Sequence, residues 1–266
     1  MKHLLTLVLA FCIVQATAQE KVIKAYHETQ EDNSLIIYVE NRSEVLHSVL
    51  LEGNLKGMSA SIALPITQVV PPKSTTAFVT LTPTANSYGY SYEFTSTQGD
   101  VTAIHDDTYV YQLPYQSGES HRIDQGYLER PTHMDQYALD FHMDTGTKIC
   151  AIRDGKVMNV VQKHNRGCPD KSCGQYNNFV QVMHADGSIA DYSHLQKNGA
   201  LVKIGDEVKA GDVIALSGAT GQASGPHLHL EVYVMRFSGS QSVEASYQLD
   251  ASTVGIPQTG KSYTKP

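Results

Sequence analysis

The chain has 266 residues, 41% hydrophobic and 18% charged, with a formal net charge of −7. This is the composition of a folded protein of one large or two ordinary domains, and it excludes a disordered chain. With no long basic run, duplex DNA or RNA is a poor partner, since phosphate binding needs concentrated Lys and Arg.

The first residues stand apart. Met1-Lys2-His3 is a short positive start, residues 4–14 are an apolar run with one Thr, and Ala16-Thr17-Ala18 is a small-x-small cleavage pattern before Gln19. Together they predict a secretory signal peptide over residues 1–18. The run is too short to span a bilayer. Cys12 lies in its middle and not at its end, which speaks against a lipoprotein. No later apolar stretch approaches twenty residues, so the mature protein is expected to be exported, periplasmic or secreted, with no membrane insertion.

Residues 21–113 are strand-like. Runs at 34–39, 45–51, 61–70 and 75–81 are β-rich and separated by turn-forming stretches at 40–43 and 71–74. Residues 88–95 alternate aromatic with small or polar side chains, and a further run starts at Tyr109. Short strands at this spacing predict a β-sandwich-like domain. His27, His47 and His105 are isolated here, and Tyr88, Tyr90 and Tyr92 read as sheet packing before they read as a sugar platform. Residues 114–131, with Pro114, Gly118, Gly126 and Pro131, predict a connector in which Tyr115 and Tyr127 pack on a domain edge or line a cleft.

Residues 132–240 predict a second β-rich domain. Residues 136–141 form a strand in which Asp140 interrupts an apolar pattern. Residues 149–152 and 156–161, around Asp154-Gly155, read as a hairpin, as do 178–184 and 188–194 around Asp186-Gly187. Residues 202–214 place two Gly-Asp turns between β-branched residues, as in the hairpins of small barrel-like modules. No long amphipathic helix is expected anywhere. Residues 241–266 hold a strand or two and a polar tail, so the fold class is all-β.

Three cysteines follow the signal: Cys150, Cys168 and Cys173. An odd number in an oxidising compartment leaves at least one outside an internal bridge. Cys168 and Cys173 are the plausible pair; as soft metal ligands they would lack a second pair nearby. Cys150, in an apolar strand, reads as a buried small hydrophobe.

The chemistry concentrates after residue 132. In Gly225-Pro226-His227-Leu228-His229-Leu230-Glu231-Val232 the strand period of two puts both imidazoles on one face and the aliphatic residues on the other. Two such rings serve one metal site as two ligands, or as a ligand and a proton-transfer group; the plainer reading is two histidines on the polar face of a half-buried strand. His133 with Asp140 is a second cluster, because an Asp in an apolar strand is costly to bury unless paired or metal-bound. His142 is a rival for the first ligand, two residues past Asp140. His194 ends a strand before a loop. Asp191 reads as surface polarity before it reads as a group orienting Tyr192 or His194, and Glu231 as an outer acceptor on the face of His229.

These segments carry a resemblance. His133 to Phe141, Tyr192-Ser193-His194-Leu195 and the Gly-Pro-His-Leu-His-Leu-Glu stretch, in that order, resemble the LytM/lysostaphin-like zinc metallopeptidases, many of which cut peptidoglycan cross-links. The likeness covers about residues 126–235. It departs from the closest pattern, which has three residues between them, in the six residues between His133 and Asp140; members with a Tyr-Ala-x-Asp-Phe segment have a longer spacer.

The resemblance implies that His133, Asp140 and His229 bind Zn2+, and that His194 and His227 orient or deprotonate water and stabilise the developing charge. It implies a LytM-like domain over 132–240 with an antiparallel-sheet groove, acting on peptidoglycan stem or cross-bridge peptides, and the chain is expected to act as a monomer. An endopeptidase of soluble or host proteins, and a catalytically silent wall-binding regulator, are the alternatives. Residues 114–131 or the Cys168–Cys173 loop would border or cover the groove.

Overall fold

The computed structural model describes residues 22–266, and the expected signal peptide lies outside them. Strands dominate; among the described residues the helical element is one 3-10 turn, Lys171–Tyr176. No helix among them is long and apolar enough to cross a membrane.

The first seven strands are β1 (Ile23–Thr29), β2 (Leu35–Asn41), β3 (His47–Lys56), β4 (Met58–Ala60), β5 (Ile66–Val70), β6 (Ser74–Pro83) and β7 (Gly89–Gln98). They form two sheets, β1-β2-β6-β4 and β5-β3-β7. Along β2 the buried positions alternate, and Leu35, Ile37 and Val39 meet Val49, Leu51 and Val70 of the other sheet in one core. Tyr90 and Tyr92 pack against the same core, and His27 bonds both hydroxyls, at 3.0 and 3.1 Å. Tyr90 and Tyr92 therefore serve packing between the sheets, whereas Tyr88 is exposed.

The remaining strands are β8 (Val110–Tyr111), β9 (Ser120–Gln125), β10 (Ala138–His142), β11 (Lys148–Cys150), β12 (Gly155–Val161), β13 (Gly167–Cys168), β14 (Phe179–Met183) and β15 (Ile189–Ser193). There follow β16 (Glu207–Val208), β17 (Val213–Leu216), β18 (Gly221–Gln222), β19 (His227–Arg236), β20 (Gly239–Ser242), β21 (Ser246–Gln248), β22 (Val254–Gly255) and β23 (Ser262–Thr264). The main sheet runs β16-β12-β14-β15-β19-β10-β9-β23, with β20 on β19. One face is apolar: Leu139, Phe141, Val180, Val182, Tyr192, Leu228, Leu230 and Val232 share a core. Each such side chain contributes about 1.5–3 kcal/mol by leaving water. The strand period then forces Asp140, His227 and His229 onto the opposite face.

Three expectations are corrected here. Residues 149–152 and 156–161 do not form a hairpin: β11 pairs β17, whereas β12 pairs β14 and β16. Ile149, Cys150, Ala151 and Ile152 are all fully buried, so this run lies in the core beside β17 and cannot be the half-exposed arm of a hairpin. Residues 202–214 likewise give two short strands, β16 and β17, with different partners. The stretch 114–131 holds β9, which pairs β10 and β23, and Tyr115 and Ile123 are fully buried in the main core. Tyr111 and Leu113 also lie in that core, so the chain joins it before residue 114.

The N-terminal strands contact the far end of the main sheet. Val45 packs with Met158, Ile189 and Tyr233, with Met235 alongside. Arg236 donates to the Val101 and Ala103 carbonyls, each at 3.0 Å. At strand rise, Met235 is about 20 Å along β19 from His229. The first unit thus packs behind the sheet end, away from the histidine cluster.

Candidate metal centre

Antiparallel pairing of β10 with β19 sets Asp140 directly opposite His229 and His142 opposite His227. On the other flank of β19, Ser193 of β15 stands opposite His229. Three neighbouring strands therefore deliver their polar residues to one patch. His133 comes from outside the strands, held by its backbone N–H to the Glu129 carbonyl and by Nδ1 to the Gly126 carbonyl at 2.9 Å.

Asp140 is the hub. Its Oδ1 lies 2.9 Å from His229 Nδ1, 3.3 Å from His133 Nε2 and 3.8 Å from His227 Nε2. The donor atoms of His133, Asp140 and His229 all fall within 4.8 Å of one another, and no fourth His, Cys, Asp or Glu among the described residues joins them. His133 Nε2 is buried without a hydrogen-bond partner, since its approach to Asp140 is misaligned. An orphaned buried nitrogen is rare in native proteins. Zinc bonds of about 2.0–2.2 Å put tetrahedral ligand atoms about 3.3–3.5 Å apart, close to the spacing here. Two imidazole nitrogens and one carboxylate fit zinc, and the missing fourth donor leaves room for water or substrate.

The electrostatics couple Asp140 to the rings around it. Burial alone would raise the Asp140 carboxyl, but the His133 and His229 rings beside it hold it well below the usual carboxylate range. Burial opposes protonation of His229, and the hydrogen bond and charge of Asp140 override it and raise its pKa. His194 is pushed down to about 3, first by burial and then by the His229 and His227 rings. Burial raises both Asp191 and Glu231.

Both remaining histidines face this patch. The His194 ring centroid is 4.6 Å from that of His227 and 5.7 Å from that of His229. His194 Nδ1 bonds the Thr220 carbonyl at 2.7 Å, and His227 Nδ1 bonds the Gly225 carbonyl at 2.9 Å. A carbonyl only accepts, so each Nδ1 carries a hydrogen, and in the neutral ring each Nε2 keeps its lone pair. The same logic leaves the His133 Nε2 lone pair free. All five residues singled out in the sequence are brought together. His142 stays outside, exposed and bonded through Nδ1 to Asp124 at 2.9 Å.

Asp191 is not the surface carboxylate expected from its polarity. It accepts hydrogen bonds from Ser193 Oγ and Gln181 Nε2 on the polar face of the sheet. Asn177 was also missed: it donates to Ser193 Oγ and accepts from the His194 N–H. The carbonyls of Gly126, Thr220 and Gly225 have no signature in side-chain patterns. Cys168 and Cys173 form a disulfide, and Cys150 is buried and free.

Comparison with known proteins gives concordant findings. Residues 134–244 match the model of Peptidase family M23. The glycyl-glycine endopeptidase ALE-1 of Staphylococcus capitis is 33% identical over 129 residues, 48% of this chain and 33% of that protein. Peptidoglycan DD-endopeptidase ShyC of Vibrio cholerae is 41% identical over 96 residues, 36% of this chain and 19% of that protein. The solved catalytic domain of the antimicrobial peptidase lysostaphin from Staphylococcus simulans is 30% identical, covering 48% of this chain and 88% of that one, with a TM-score of 0.34. The match thus spans a third or less of these two curated relatives' own length.

Proposed function

We propose, on the premise that this chain belongs to peptidase family M23 through residues 134–244, that it is an exported zinc metalloendopeptidase cutting peptide bonds in peptidoglycan stems or cross-bridges. The observation that carries this reading is the His133–Asp140–His229 cluster, with its orphaned Nε2 and two further imidazoles alongside. The substrate class rests on the relatives, which include a glycyl-glycine endopeptidase and a peptidoglycan DD-endopeptidase.

In this reading His133 Nε2, Asp140 Oδ1 and His229 Nδ1 hold the ion. Bound zinc supplies a Lewis acid for the scissile carbonyl and lowers the pKa of water toward neutrality. The protein residues do the rest. His194 and His227 present unprotonated Nε2 atoms that orient the attacking water and take its proton. A ring protonated in this way becomes a cation beside the developing oxyanion and stabilises it. It then returns the proton to the leaving nitrogen. The Nδ1 bonds to Thr220 and Gly225 keep both rings in the tautomer this sequence requires.

Residues 1–18 serve as the export signal, and β1 to β7 form a β-sandwich-like domain that braces the peptidase domain. The latter takes in β8 onward, and the protein acts as a monomer. Incubation of purified sacculi with zinc-loaded protein tests the function: release of soluble fragments, abolished by a chelator and restored by zinc, is expected. Intact sacculi alongside cleavage of soluble proteins would move the substrate to another class.

A further inference from the structure

The residue that follows β15 is His194, and its backbone is left-handed, with φ +64°. Non-glycine residues seldom take this conformation unless neighbours hold them there. Here two segments grip His194 from opposite sides. Thr220 fixes the ring through Nδ1, and Asn177 Oδ1 accepts the backbone N–H at 3.0 Å.

The orientation of the Asn177 amide is itself determined. Ser193 Oγ has one hydrogen, and it goes to Asp191 Oδ1. The hydroxyl can then only accept from Asn177, whose Nδ2 donates to it at 2.8 Å. With Nδ2 committed, Oδ1 must face the His194 N–H. Gln181 Nε2 holds the other carboxylate oxygen of Asp191 at 2.6 Å, so a chain of polar contacts runs from the sheet to His194.

The loop that carries Asn177 is anchored independently. The Cys168–Cys173 disulfide ties down the segment just before it, and the Asn177 N–H caps the 3-10 turn on the Gly174 carbonyl. β13 pairs in parallel with β18, joining Gly167 to Gly221. A Cβ at Gly221 would lie 2.9 Å from Asn177 Cα and Cβ, so the two gripping segments meet backbone against backbone.

We propose that Asn177 is the positioning residue for His194: it holds the left-handed backbone that aims Nε2 into the zinc site. The proposal rests on the reading of His194 as a group acting on the attacking water. It assigns the disulfide-braced 3-10 turn, whose C-terminal end Asn177 caps, the task of presenting this amide.

The test is a variant series assayed by dye release from labelled sacculi, with zinc content measured on each protein. Asn177→Ala is expected to lower kcat about tenfold or more, the loss of one aligning hydrogen bond, with KM and zinc content unchanged. Asn177→Asp keeps an acceptor for the His194 N–H but cannot donate to Ser193 Oγ, and is expected to recover only part of the loss. In a His194→Ala background, Asn177→Ala should cost nothing further. Ser193→Ala, which frees the amide orientation, should shift activity in the same direction and serves if Asn177→Ala does not fold.

A long-range 1H–15N spectrum of the zinc-free protein reads the ring directly. The wild type should show His194 as a single Nδ1–H tautomer, and Asn177→Ala should show it broadened or mixed. An inactive His194→Ala beside a fully active Asn177→Ala would overturn the proposal and leave the proposed function standing. A fully active His194→Ala would instead overturn the role given to His194, and the spectrum would still decide whether Asn177 holds the ring.

Discussion

His229 and Asp140 stand directly opposite each other on β19 and β10, with Nδ1 2.9 Å from Oδ1. Cross-strand register alone produces this pairing, and His133 completes the set at 3.3 Å. Asp140→Asn preserves shape but replaces an anionic ligand with a neutral amide. Zinc affinity should fall by more than the about 10–100-fold that loss of an outer-shell partner costs. Metal analysis after dialysis checks this, and a normal zinc stoichiometry would remove Asp140 from the ligand set. His229→Ala should lose both zinc and activity.

His227 faces the same patch but sits 3.8 Å from Asp140 and bonds the Gly225 carbonyl. His227→Ala should therefore retain one zinc per chain and lose about 10²–10⁴-fold in rate, the usual worth of a proton-transfer group. Loss of zinc in step with activity would instead make His227 a ligand.

His184 lies outside the site and gives a stability prediction. It is buried, bonds the Asp154 carbonyl through Nδ1 at 2.9 Å, and has an unpartnered Nε2. Burial pushes its pKa down to about 4. Between that value and about 6.5 the unfolded chain binds the proton and the folded one does not. Stability is thus complete above the unfolded pKa and falls as pH drops toward the folded one, by about 3 kcal/mol in all. Denaturant titrations of His184→Asn, which keeps a donor for Asp154, should show a flatter slope across this window. An unchanged slope would assign the acid sensitivity to other groups.

Arg153 and Asp186 form a largely buried pair at 2.7 Å, with the guanidinium 3.9 Å over the Tyr109 ring. Removing one partner strands a buried charge. Arg153→Ala should destabilise the fold by about 3–5 kcal/mol, without changing zinc content at temperatures where it stays folded. A loss below about 1 kcal/mol would mean that the pair behaves as a surface bridge.

Much of the site was legible because strand periodicity is simple. His227, His229 and the aliphatic residues between them sort onto two faces from their spacing alone, and a lone Asp140 in an apolar strand announces a partner. His133 was legible as a residue type in the right segment, but its approach depends on the Glu129 and Gly126 carbonyls, which no side-chain pattern encodes. Asp191 and Asn177 look like solvated polar residues, and their contacts arise from cross-strand and loop packing. The strands of the first unit were readable as separated β runs. The partners of β11 and β12 were not, because a fully buried apolar run gives no sign of which layer it enters. Residues 114–131 looked like a connector because Pro and Gly mask the short strand that joins the main sheet.

The central claim is that a zinc-loaded His133–Asp140–His229 centre hydrolyses peptide bonds of the cell wall. Mass spectrometry of muropeptides from sacculi treated with protein carrying one zinc per chain tests it most directly. The expected result is the loss of cross-linked species with a new amino terminus at one peptide bond and the glycan strands intact. An unchanged muropeptide profile from folded, fully metallated protein would contradict it.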